Sequence, residues 1–234
     1  MTYIFDRYDR LINFVPAGGR LGFENSTKII EPDKSQKKIF VYPALLLREL
    51  KSEEDLIKFI KTAKNTGAKG IHFDIADGTF ENDNGKIIKA TYIEQTLLAL
   101  KIAKSFGLKG DVHLMVACPT LYIERLIACG ADSISLHIEA LENGTGKTKL
   151  EEWDKEKLIK KIKKEGVKVG IAVNPNSSII SLPYWIIKTV DFVLLLAVVP
   201  GMQGSNFIDP SGKINNIKKN WPNKRIYIDG AMNK

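Results

Sequence analysis

Histidine and cysteine are scarce here: the chain has three histidines and two cysteines in 234 residues. Cys118 and Cys129 are too few for a disulfide framework, so a reducing, cytoplasmic setting is expected. No apolar run is long enough to cross a bilayer, and no membrane partner is expected. The opening stretch "MTYIFDRYDR" carries Asp6, Arg7, Asp9 and Arg10, so it lacks the apolar core of a signal peptide. The formal charge is +8, yet no zinc-finger spacing or aromatic RNA-binding signature accompanies it. No nucleic-acid partner is expected, which leaves a field that draws in anionic metabolites. The lysines are densest in "DKEKLIKKIKKEGVK" (154–168), where Leu158, Ile159 and Ile162 form an apolar stripe. That pattern is the solvated face of a helix.

What is present is an alternation. Short apolar runs at 39–47, 70–75, 111–116, 132–138, 167–173, 191–198 and 225–229 read as strands. Stretches of helical period at 52–67, 91–107, 119–130, 151–166, 178–190 and 211–220 separate them. Ser52 is placed to cap the first helix, and Pro183 disturbs the fifth. Seven strands and six helices in alternation predict a parallel α/β domain. Near-continuous apolar runs such as "DFVLLLAV" predict strands buried on both faces. No G-x-G-x-x-G follows the first strand, which weakens the dinucleotide-binding form of a doubly wound sheet. Polar residues at the C-terminal ends of several strands favour a β/α barrel, because barrel enzymes place their chemistry there. Residues 1–38 are turn-rich, with no sustained period, and read as an N-terminal extension before a barrel spanning 39–234.

All three histidines, His72, His113 and His137, fall in predicted strands. Residues two apart in a strand share a face, so His72 and Asp74 point the same way and His113 on the next strand can join them. Each histidine could be a core residue bonded to a backbone carbonyl. For the His72–Asp74 pair that reading is weaker, because a buried carboxylate is costly without a partner. A metal or a paired positive group would meet the need, and imidazoles with carboxylates suit Zn²⁺, Fe²⁺, Mn²⁺ or Co²⁺. Asp229 ends the last strand in "IYIDG" and is the natural fourth member, or else a helix cap.

Six blocks now carry a family resemblance: "IHFDIADGTF", "DVHLMVACP", "SISLHIEA", "GVKVGIAVNPNSSI", "VDFVLLLAVVPGMQG" and "IYIDGAM". In this order they resemble the blocks of ribulose-phosphate 3-epimerases, from about Tyr42 to Met232. The resemblance implies a (β/α)8 TIM barrel of the ribulose-phosphate-binding type and epimerisation at C3 of a ketose phosphate. It implies that His72, Asp74, His113 and Asp229 hold one divalent metal ion. It also implies that Asp74 and Asp229 are the acid/base pair, one on each face of the substrate. Inversion beside a ketone needs two such groups, since one base alone only restores the starting isomer. Met115 matches a pocket-lining methionine. Gly201, Gly204 and Gly230 match phosphate-binding loops, and Asn174 with Pro175 matches the close of the fifth strand.

Departures from the family pattern put the substrate in question more than the reaction. Ala44 stands where the family has a serine, Ala76 where it has a methionine, and Ala231 where it has a glycine. D-Ribulose 5-phosphate leads. A six-carbon ketose phosphate such as allulose 6-phosphate and a non-catalytic sugar-phosphate binder are the alternatives. A homo-oligomer is allowed. The chain stops five residues after Asp229, whereas a final helix, strand and helix would need about 40–50 more. The expectation is therefore a truncated, open barrel of about seven strands. Its first and seventh strands would have unpaired edges, with poor solubility and weak activity. Residues 1–38 lack a β-α unit and are not expected to fill the gap.

Overall fold

The computed structural model describes residues 2–5, 39–45, 52–82, 84–91, 93–142, 152–180, 182–201 and 206–230. In chain order the strands are β1 (Thr2–Phe5), β2 (Ile39–Tyr42), β3 (Ala44–Leu45), β4 (Gly70–Ala76), β5 (Lys109–Met115), β6 (Ser133–His137), β7 (Lys168–Val173), β8 (Phe192–Leu196) and β9 (Arg225–Asp229). The helices are α1 (Glu53–Asn65), α2 (Ile93–Ser105), α3 (Ile123–Ala128), α4 (Ile138–Glu142), α5 (Glu152–Lys164), α6 (Tyr184–Thr189) and α7 (Ser211–Asn220).

Strands β3 to β9 form a run of seven, each parallel to the next. This is the curled α/β sheet of a TIM barrel. Strand period sorts its side chains into two layers. Ile71, Phe73, Ile75, Val112, Leu114, Ile134, Leu136, Val193 and Leu195 point outward and are buried against the helices. Each such burial stabilises the fold by about 1.5–3 kcal/mol. Tyr42, Ala172, Phe192, Leu194, Leu196 and Tyr227 form a separate cluster on the opposite face of the sheet. Phe192 stacks on Tyr227 with ring centroids 4.0 Å apart. Gly170 makes room for this pair, since a Cβ there would sit 2.2 Å from a Phe192 ring carbon. The inward positions of β4, β5 and β6 are instead polar: His72, Asp74, Asp111, His113, Ser133, Ser135 and His137. The interior is thus apolar on one side and polar on the other.

Three elements differ from expectation. Pro43 splits the predicted first strand, since it has no N–H to donate to the ladder. Pro183 stands just before α6 and opens that helix rather than disturbing its middle. The third difference concerns the edges. Strand β1 pairs antiparallel with β9 on one side and with β2 on the other. The sheet order runs β2-β1-β9-β8-β7-β6-β5-β4-β3. Its end strands, β2 and β3, are separated in the chain by Pro43 alone, so the sheet returns on itself. The unpaired edge expected on the seventh strand is covered by β1, which comes from the 1–38 extension that the sequence does not mark as filling the gap. The four residues "TYIF" are too short for a periodic signal, and their partners are distant in sequence. The rest of the 1–38 extension lies outside the described residues.

Among the described residues, no helix is long and apolar enough to cross a membrane. Ser52 caps α1 as expected, accepting from the Asp55 N–H at 3.2 Å.

Candidate metal centre and active site

His72 and Asp74 come from β4, His113 from β5 and Asp229 from the last position of β9. Their donor atoms all lie within 4.8 Å of one another. His72 Nε2 is 3.4 Å from Asp74 Oδ1 and 3.7 Å from Asp229 Oδ2. His113 Nδ1 is 3.1 Å from Asp74 Oδ1 and 3.8 Å from Asp229 Oδ2. The two imidazoles are almost wholly buried, at 0% and 1% exposure, while Asp74 and Asp229 keep 28% and 15%. The carboxylates are therefore the members that a molecule entering from the open end would meet.

Each imidazole is oriented from behind. His72 Nδ1 donates to Asp111 Oδ2 at 2.7 Å, and the Ser133 hydroxyl donates to the other oxygen of Asp111. This leaves His72 Nε2, which is buried, without a hydrogen-bond partner and facing the two carboxylates. On the other side His113 Nε2 lies 2.7 Å from His137 Nε2, and His137 Nδ1 lies 3.0 Å from Glu139 Oε2. Glu139 Oε1 accepts from the Asn174 N–H at 3.1 Å and from the Ser177 hydroxyl.

The electrostatics favour a cation in this cluster. Burial opposes charge on His72, but the Asp229 charge, the hydrogen bond to Asp111 and the neighbouring Asp74 carboxylate outweigh it and hold its pKa well above the ordinary value. Burial also pushes the Asp74 carboxyl up, yet the hydrogen bond from His113, the close His72 imidazole and the charges of both hold it well below the usual carboxylate range. For His137 burial wins and lowers the pKa, although Glu139 pulls it upward. Glu139 is held below its ordinary value because His137 and Ser177 outweigh its burial. The same field that holds a proton on His72 would hold a divalent ion, which displaces such protons from its ligands. The unpartnered His72 Nε2 and the mixed imidazole–carboxylate set fit that role.

The wall over this cluster is apolar. Ala76, Phe80, Ile88, Met115 and Ala140 pack together, and the Phe80 ring lies 4.4 Å from that of His137. The segment after β4 spans the open end, where Asn82 Nδ2 donates to the Pro200 carbonyl at 3.0 Å. Gly201 follows with φ 79°, and a Cβ there would sit 3.0 Å from an Ile88 methyl. Gly230 follows β9 with φ 96°, and a Cβ there would sit 2.3 Å from a Val198 methyl. Gly204 and Ala231 lie outside the described residues.

A model described as the ribulose-phosphate 3 epimerase family matches residues 41–234. The chain belongs to that family. It is 32% identical to a ribulose-phosphate 3-epimerase of Bacillus subtilis over 75% of this chain and 74% of that one. It is also 32% identical to a ribulose-phosphate 3-epimerase of Aquifex aeolicus, over 71% of this chain and 68% of that one. A chloroplastic ribulose-5-phosphate-3-epimerase of Arabidopsis thaliana is 28% identical over 85% of this chain and 65% of that one. The family is one of isomerases acting on carbohydrates, and its likeness here spans the strands that carry the cluster.

The four residues that sequence spacing brought together are together in space. Met115 joins the wall beside them. Sequence reasoning missed Asp111 and Glu139 and left His137 undecided. Their signal was the one used for His72: an acid two residues from a histidine, in "DVH" and again in "HIE".

Proposed function

We propose that this chain epimerises C3 of a ketose phosphate, converting D-ribulose 5-phosphate to D-xylulose 5-phosphate. The observation that carries this reading is the pair of partly accessible carboxylates, Asp74 and Asp229. They arrive from separate strands, β4 and β9, and share two buried imidazoles. One carboxylate removes the C3 proton from one face of the substrate, and the other returns a proton to the opposite face. The two imidazoles keep Asp74 ionised, the state in which a carboxylate can accept a proton.

His72, Asp74, His113 and Asp229 would hold one divalent ion, of zinc, iron, manganese or cobalt. Bound there, it supplies Lewis-acid stabilisation to the substrate oxygens on which charge develops. The protein's part is to keep the two carboxylates on opposite sides of the reacting carbon and to exclude water. Phe80, Ile88 and Met115 supply the apolar wall for that exclusion. Gly201 and Gly230 would bring backbone N–H groups to the phosphate, where a side chain would block close approach, and the family match assigns Gly204 the same role. The basic charge of the chain favours such an anionic ligand. A cytoplasmic location and the absence of nucleic-acid and membrane partners belong to the same reading.

The test is solvent exchange at C3. The wild-type chain in D₂O with zinc or cobalt should incorporate deuterium into ribulose 5-phosphate. Asp74→Asn and Asp229→Asn should each slow this by about a hundredfold or more, the scale of acid–base catalysis. Exchange at the wild-type rate in either folded variant refutes the two-base assignment. Ala44 pairs with His72 and brings a methyl where the family has a hydroxyl. Allulose 6-phosphate therefore belongs in the same assay, and its faster exchange would reassign the substrate. Thermal stabilisation by either sugar without exchange would make the chain a binder.

A further inference from the structure

We propose, building on the reading of Gly201 as a phosphate ligand, that Asn82 is a positioning residue: it clips the segment after β4 to the loop after β8 and so fixes the direction of the Gly201 N–H. Residues 77–90 are closed at their base. There the Thr91 N–H donates to the Ala76 carbonyl at 2.8 Å, and the Thr91 hydroxyl accepts from the Ala76 N–H at 3.1 Å. The two arms pair through the Ile88 N–H and the Phe80 carbonyl at 2.8 Å, and through a bridge between Glu81 and Ile87. Asn82 organises the turn between them. Its N–H donates to the Lys86 carbonyl at 2.9 Å, and its carbonyl accepts from the Gly85 N–H at 3.0 Å. Its Oδ1 accepts from the N–H groups of Asn84 and Lys86 at 3.0 and 3.1 Å. Only Nδ2 donates outside the segment, to the Pro200 carbonyl at 3.0 Å.

Pro200 and Gly201 share one peptide unit. That unit is planar and trans, so its carbonyl and its N–H point in opposite directions. Holding the Pro200 carbonyl against Asn82 therefore holds the Gly201 N–H on the far side of the same plane. Exposure divides the two ends of this arrangement. Asn82 and Pro200 are buried, while Gly201 is exposed, where a ligand can reach it. A buried hydrogen bond keeps its direction well, because water does not compete for the acceptor. Ile88 adds a second contact from the same segment, since a Cβ on Gly201 would sit 3.0 Å from its methyl. A donor fixed before the anion arrives spares the cost of ordering it on binding.

Two variants isolate the clip. Asn82→Asp keeps an acceptor for the Asn84 and Lys86 N–H groups but has no donor for Pro200. Asn82→Ala removes the clip without adding charge. Inorganic phosphate is the probe, titrated by calorimetry into the full chain with zinc present, and used there as an inhibitor of ribulose 5-phosphate turnover. Both variants should bind phosphate about tenfold more weakly, the scale of one hydrogen bond to a charged group. The KM for the sugar phosphate should rise in parallel while kcat stays within about twofold, since the lost contact is remote from C3. A merely structural role would lower kcat through the folded fraction and leave KM and the phosphate constant where they were. Unchanged phosphate affinity in the folded variants overturns the clip. Weakening in Asn82→Asp alone overturns it too, because the added charge then accounts for the effect. Should both variants fail to fold, the nitrogen-15 spectrum of the wild type decides: the Gly201 amide should shift on adding phosphate, and an unmoved amide overturns the proposal. Failure of the epimerase reading looks different. Phosphate binding that weakens in both variants, in a chain that never exchanges the C3 hydrogen, supports the clip and removes the epimerase.

Discussion

Strand β1 is the element on which closure of the sheet depends, and a proline at Ile4 tests it. Ile4 pairs with Phe40 on one side and with Tyr227 on the other. An antiparallel residue directs its N–H to one neighbour, so Ile4→Pro removes one donor wherever it points. The partner carbonyl belongs to a strand now covered on that edge. Losing the bond costs about 1 kcal/mol net, and leaving a covered acceptor unsatisfied adds about 1–3 kcal/mol. The expected loss is therefore about 2–4 kcal/mol, a large share of the roughly 5–15 kcal/mol that holds a typical domain. Asp229 sits opposite Thr2, so detaching β1 also releases the strand that delivers this carboxylate. Urea unfolding should show a lower midpoint in Ile4→Pro. Hydrogen exchange should show lost amide protection in β9 and β2 while β5 and β6 stay protected. An unchanged midpoint together with unchanged β9 protection would refute a paired β1.

Two further outcomes follow from local geometry. Gly230→Ala should destabilise the chain by about 1–3 kcal/mol, since it strains a positive φ and overlaps Val198. Adding Val198→Ala should recover the steric part alone, as thermal melts of the two variants would show. Burial, with the charges of Asp111 and Asp132, pushes the Tyr42 phenol up to about 12, and burial with the Asp77 hydrogen bond does the same for Tyr122. Both folded values lie above the ordinary value of 10.0, so this stability is whole below that pH and is lost as pH rises toward 12. The urea midpoint should fall across that window, and less steeply in Tyr122→Phe; a flat profile contradicts the assignment.

Residues of one strand, or of neighbouring strands in a regular alternation, were legible without a structure. His72 and Asp74 share a face because strand period is two, and β5 follows β4 in space because consecutive parallel strands of such a domain are neighbours. Asp229 came from its place at a strand end. Asp111 and Glu139 were equally visible as patterns, yet an acid near a histidine does not say which histidine it meets. Asp111 bonds to His72 on the adjacent strand rather than to His113 on its own. Glu139 meets the histidine two before it only because the chain turns into α4 at Ile138.

The sequence by itself determined the alternation of strands and helices, the division of strand residues into inward and outward sets, and the convergence of two imidazoles with two carboxylates. These follow from periods of two and 3.6 and from the cost of burying unpaired charge, which act within a few residues. Tertiary structure alone decided which side chains stand behind His72 and His113 and the place of Thr2–Phe5 between β9 and β2. The first depends on which of two nitrogens faces which oxygen, a matter of ångströms between separate strands. The second depends on a pairing between residues more than two hundred positions apart, which no local period records.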